Sequence, residues 1–156
     1  MKAFIKILGT VWLGVALWAG GMHAAAAGEP EPLPSFFVKN DAGLDKEAHF
    51  LLIKEQKEFD RFFGHAAIMW QKKKLPPPDF DKQIVVAAIH QGRFYTEYKV
   101  QSVTNLNNTM TIDYTTKVKP TPATTFACPM ILTLPRAGLT AVNFIENGKS
   151  IATLKL

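Results

Sequence analysis

The chain has 156 residues, with 18 Lys and Arg against 13 Asp and Glu and a formal net charge of +5. That excess is too small and too scattered for a nucleic-acid footprint, which needs basic residues clustered on one face. A single cysteine, Cys128, excludes an internal disulfide framework.

Residues 1–27 read as a signal peptide. Lys2 and Lys6 form a positive start, and Ile7 to Trp18 form an apolar run diluted only by Gly9, Thr10 and Gly14. Ala24 to Ala27 then offer the small residues a signal peptidase reads, so cleavage is expected after Ala26 or Ala27. The apolar run is shorter than the ~20 residues of a spanning helix, so no stable membrane insertion is expected after cleavage. No cysteine lies near the cleavage position, which argues against a lipoprotein. The expected location is periplasmic or secreted. Removing 27 of the 156 residues leaves 129, one domain's worth. It also removes two of the 18 basic residues and no acid, leaving 16 against 13 and a charge of +3.

The proline alternation from Glu29 to Pro34 predicts an extended, exposed lead-in over 28–44, ahead of a single domain over 45–156. His49 to Lys54 has strand character. Glu55 to Gly64 follows with Phe59, Phe62 and Phe63 on one helical face. Glu55 and Glu58 sit where the helix dipole favours acid, and Gly64 offers a stop. The expected helix spans about 55–63 and docks on a sheet through its phenylalanines. Residues 65–79, with the solvated run Lys72 to Lys74 and the Pro76 to Pro78 break, read as irregular.

Beyond Asp79 every signal is strand. Ile84 to Ile89 is a continuous apolar run, as in a central strand covered on both faces. Tyr95 to Val103 alternates. Asn107-Asn108 marks a turn, and Thr109 to Val118 returns with Met110, Ile112 and Tyr114 on one face. Phe126 to Leu134 follows. Thr140 to Ile145 and Ser150 to Leu154 flank Asn147-Gly148, the strongest hairpin signal in the chain. The fold class is mainly β: an antiparallel sandwich or partly open barrel with one short N-terminal amphipathic helix.

Motifs of catalysis are sparse. Cys128 and His90 form the one conceivable thiol–base pair, but Cys128 lies in the apolar stretch Phe126 to Ile131, where a thiol is inert. His65 and Met69 are spaced for a metal only if that stretch is helical, which Gly64 opposes. Asp79 and Asp81 flank Phe80 and read as the lead into a strand. No Gly-rich phosphate loop and no nucleophile-elbow motif is present. No catalytic residue, metal or cofactor is therefore assigned. The segment Gln91 to Tyr98 is rich in Arg and aromatics, the types that anchor protein interfaces.

The order of features from 49 to 136 resembles the C-terminal domain family of the protease complex subunit PrcB, itself similar to chagasin-type inhibitors of cysteine peptidases. The matching features are the helix ending in Phe62-Phe63-Gly64, then Asp79 to Lys82 with Ile84 to Ala87, and Gly92 with the strand at Tyr98 to Val100. Cys128-Pro129-Met130-Ile131 and Leu134-Pro135-Arg136 complete them. The resemblance implies an antiparallel sandwich that binds a protein, a peptidase or its complex, and catalyses nothing; the partner-binding positions it carries across are Arg93, Phe94, Tyr95 and Glu97, with contact expected through loops at one end of the sandwich. This chain departs from the family at Tyr95 to Tyr98, where a glycine pair is missing. The alternative expectation is a small-ligand or envelope-glycan module, with Trp70, Tyr95 and Tyr98 lining an open pocket.

Overall fold

The apolar run at Ile84 to Ile89 organises the molecule. In the computed structural model, which describes residues 30–66, 76–121 and 123–156, this run lies inside β5 (Gln83–Gly92) and every one of its six side chains is buried. Side chains alternate across a strand. Ile84, Val86 and Ala88 therefore enter one core, while Val85, Ala87 and Ile89 enter another on the opposite face. A strand covered on both sides has no polar position, which is why its sequence shows no alternation.

The first sheet runs β1 (Glu31–Pro32), β8 (Phe126–Pro135), β5 and β3 (Ala48–Ile53). The second runs β10 (Lys149–Lys155), β9 (Ala141–Glu146), β7 (Thr109–Pro120) and β6 (Phe94–Leu106). Between them lies a core of Ile84, Val86 and Leu132 against Ile112, Tyr114, Val142 and Phe144. The pairing is antiparallel except between β7 and β9, which are parallel. The chain leaves β7, crosses to the first sheet for β8, and returns as β9 in β7's direction. The result is mainly β, a sandwich with one short helix, as its sequence pattern predicts.

The second core lies on the outer face of the first sheet. Helix α1 (Gln56–Phe62) spans seven residues, too short to persist alone. Phe59 anchors it at 1% exposure, edge-on to Phe36 at 4.9 Å. Glu55 is extended and precedes the helix, with no side-chain hydrogen bond to its first turn. Gly64 does not stop the helix: Phe63 is already extended and opens β4 (Phe63–His65), with Gly64 at its centre. The cause is packing, because Phe63 is buried beside Phe59 as a strand residue.

The lead-in differs from expectation. Over 31–44 it is paired and packed. Glu31 and Pro32 pair with Thr133 and Leu132, and β2 (Phe36–Val38) pairs with β4. Phe36, Val38 and Ala42 are core residues. Proline is tolerated in β1 because that strand is an edge, where a missing N–H costs no ladder bond. Phe36, Val38 and Ala42 behind the prolines supply the apolar area that holds the segment down.

The hairpin signals hold. Asn147 and Gly148 have φ of 50° and 79°, and Asn107 and Asn108 have φ of 50° and 63°, the left-handed geometry of tight two-residue hairpins. No helix among the described residues is long and apolar enough to cross a membrane. The cleavage residues Ala26 and Ala27, the run Lys72 to Lys74, Met69 and Trp70 lie outside the described residues.

Candidate functional site

The segment Gln91 to Tyr98 is not a hairpin. Gly92 closes β5 opposite Phe126, and Phe94 opens β6 opposite Pro120 of the other sheet. The chain thus changes sheets across one residue, Arg93. Thr121 fixes the corner, donating its N–H to the Arg93 carbonyl oxygen at 2.9 Å. The Phe94 ring lies back on the Gly92 α-carbon, in the space a β-carbon would fill, so a larger residue at 92 would have to displace that ring.

The four candidate residues separate at this corner. Arg93 is exposed. Phe94 is half-buried on Gly92, held by the fold. Tyr95 is 44% exposed, with its ring edge-on to Phe126 at 6.0 Å. Glu97 is exposed and ion-paired to Lys119. The hydrogen bond from Lys119 holds the Glu97 carboxyl below its ordinary range. Exposed pairs of this kind add little stability.

Tyr95 and Glu97 stand on the rim of a groove. Among the described residues β6 is the last strand of its sheet, and its outer edge has no strand neighbour. Facing it across the sandwich are β8 and the short β1. The gap between them holds a hollow of about 360 Å³, walled by Pro32 to Pro34 and by Tyr95 to Tyr98, with Pro129 to Leu132 below. A second hollow of about 340 Å³, lined by Pro30, Pro32, Val100, Val103 and Leu132, continues it along β6. The two share Pro32, Val100 and Leu132. The walls are mostly apolar, and Val100 is 39% exposed.

Behind the groove lies a polar cluster assembled from five strands, β5 to β9. The Glu146 carboxylate accepts hydrogen bonds from the Tyr114 hydroxyl at 3.0 Å and the Thr116 hydroxyl at 3.1 Å. It also lies 3.2 Å from His90 Nε2. The Tyr98 hydroxyl accepts the His90 N–H at 2.9 Å and donates to the Cys128 carbonyl oxygen at 2.9 Å. Burial pushes both tyrosine hydroxyls well above their ordinary pKa, and the negative charge of Glu146 adds to this at Tyr114.

The thiol–base pair acquires a geometry. Cys128 faces His90 in the β5–β8 register, so their side chains share one face. Yet Cys128 is 6% exposed and its Sγ accepts the Thr96 N–H at 3.3 Å. His90 turns its Nε2 to Glu146. These groups tie one sheet to the other; they do not present a nucleophile to solvent. Sequence reading missed Glu146 as the hub, because nothing near Asn147-Gly148 marks it out except its place at a hairpin.

The remaining candidates stand apart. His65 stacks on Phe36 at 4.3 Å. Asp79 and Asp81 form the turn that leads into β5 at Gln83: Asp79 accepts the Asp81 N–H and pairs with Lys82 at 3.0 Å. Among the described residues no three His, Cys, Asp or Glu side chains gather to hold a metal ion. Comparison with family models, with curated proteins and with solved structures finds no match for this chain.

Proposed function

We propose that this is an exported, non-catalytic protein-binding domain whose contact surface is the β5–β6 corner and the groove beside β6. The observation that carries the reading is the continuous apolar groove left open at that edge, with Tyr95 and Glu97 on its rim and Arg93 at its end. A soluble domain that leaves an inter-sheet edge open and apolar keeps a surface suited to a partner. Tyr and Arg at its head are types that dominate interface energetics. The resemblance to PrcB-type domains directs the search for that partner toward peptidases and their complexes, in the periplasm or outside the cell.

A photo-cross-linker at Tyr95 tests the reading, with one at Ile151 as control. Ile151 lies on β10, at the opposite edge of the same sheet, at 38% exposure. The expected result is a discrete adduct from Tyr95 in the native envelope fraction, absent from Ile151. Equal or no labelling from both positions removes the reading. A panel of peptidases then tells an inhibitor from an accessory subunit.

A second reading, binding of a small ligand or envelope glycan, has one observation in its favour. The groove's volume lies within the range of small-molecule sites, and two tyrosines line it. Of these, Tyr98 commits its hydroxyl to the cluster behind. That leaves Tyr95 as the one tyrosine ring open to a sugar face.

A further inference from the structure

The groove's walls, its backbone and its flanking charge together define what fits it. Resting on the protein-binding reading above, we infer that β6 accepts an extended segment of its partner as an added strand. That segment alternates apolar and acidic side chains.

The backbone argument starts at Thr96. Its N–H turns away from β7, toward Cys128 Sγ. In an antiparallel ladder the groups facing one neighbour alternate with those facing the other. Tyr98 and Val100 therefore turn their N–H and C=O to the same open edge as Thr96, and Cys128 does not reach them. Among the described residues no backbone group pairs with them, which leaves them to an incoming strand, the mode in which main-chain bonds give affinity and alternate side-chain pockets give specificity.

An added strand places every second side chain inward. There it meets Val100, Val103, Pro32 and Leu132, which accept apolar groups. The intervening side chains face outward beside the outer face of β6 and β7. That face carries Lys99, Lys117 and Lys119, with Arg93 at the corner. Its acids are Glu97, already paired with Lys119, and Asp113. Lys99 has no ion-pair partner among the described residues and is the cross-strand neighbour of the added chain. Opposite charges directly across a ladder stabilise it and like charges oppose it, so the segment's outward positions are acidic.

The test titrates two short peptides into the purified protein, one alternating Val and Glu and one alternating Val and Lys. Calorimetry reads affinity, and amide exchange reads the edge. The Val-Glu peptide binds about tenfold more tightly than the Val-Lys peptide, and its affinity falls as salt screens the charges. It slows exchange at the Tyr98 and Val100 amides. Lys99→Glu, a change on an exposed face that leaves the fold intact, reverses the preference. If neither peptide protects those amides, strand addition is overturned. Cross-links from Tyr95 to a folded partner would then still uphold the protein-binding reading. If both peptides bind equally and Lys99→Glu alters neither, the acidic specificity is overturned.

Discussion

The Tyr98 hydroxyl donates to the Cys128 carbonyl oxygen at 2.9 Å, across the gap between the two sheets. Since the same hydroxyl accepts the His90 N–H, and His90 and Cys128 face each other in register, one side chain of the second sheet connects two strands of the first. Tyr98→Phe keeps the ring and leaves a buried amide and carbonyl without that partner. An expected loss of ~1–3 kcal/mol follows, read as a lower urea midpoint at unchanged slope. An unchanged midpoint would show that the two backbone groups pair directly with each other once the hydroxyl is gone.

Glu146 gathers three side chains from two other strands. Glu146→Ala strands the Tyr114 hydroxyl, which belongs to a side chain of 0% exposure, and leaves His90 without its acid. The expected cost is ~2–4 kcal/mol, with Glu146→Gln milder because one acceptor oxygen survives. Thermal melts of the two variants rank them, and equal melting temperatures would contradict the hub role.

Alkali probes the same cluster. Tyr98 and Tyr114 are held above the ordinary tyrosine pKa, chiefly by burial. Their folded pKa exceeds the unfolded value of about 10, so the stability they contribute is complete below that pH. It is lost as pH rises above it, where the unfolded chain ionises and the folded one does not. Each tyrosine contributes a slope of ~1.4 kcal/mol per pH unit. Urea midpoints taken from about pH 9 to 11 should fall, and less steeply in Tyr98→Phe. Parallel curves for the two proteins would refute the assignment.

Phe59 is the one fully buried side chain of α1, packed on Phe36 and Phe63. Phe59→Ala is expected to cost ~3–5 kcal/mol. Because the helix lies on the outer face of the first sheet, the loss should loosen residues 36–44 with it, seen as faster amide exchange over β2. A melt shift without that exchange change would mean the lead-in is held by β1 alone.

Cys128 is buried under β6 with its sulfur bonded to the Thr96 amide. A small alkylating reagent should modify it only at the rate of global unfolding. Fast modification of the native protein would bring back a reactive thiol beside His90.

The periodicities carried most of the elements. Alternation at Met110, Ile112 and Tyr114 marked the buried face of β7, and the unbroken run at Ile84 to Ile89 marked the doubly covered strand. Asn147-Gly148 marked its hairpin because left-handed backbone needs those residue types. The lead-in was misread because proline reports a missing donor and says nothing of whether an edge position waits for it. At the corner, nothing in the local sequence separates Arg93, Phe94, Tyr95 and Glu97 from one another. Only tertiary structure turned Phe94 back on Gly92 and set Tyr95 and Glu97 on a rim.

By itself the amino-acid sequence determined the class of fold, the two asparagine-marked turns and the burial pattern of the central strands, because those follow from side-chain period and local backbone sterics. Which strand ends each sheet, and therefore where a groove stays open and which distant polar groups meet at Glu146, was decided by long-range pairing between residues tens of positions apart. Local preferences do not encode that pairing, since many strand orders satisfy the same alternation and only the packing of two sheets on one another selects among them.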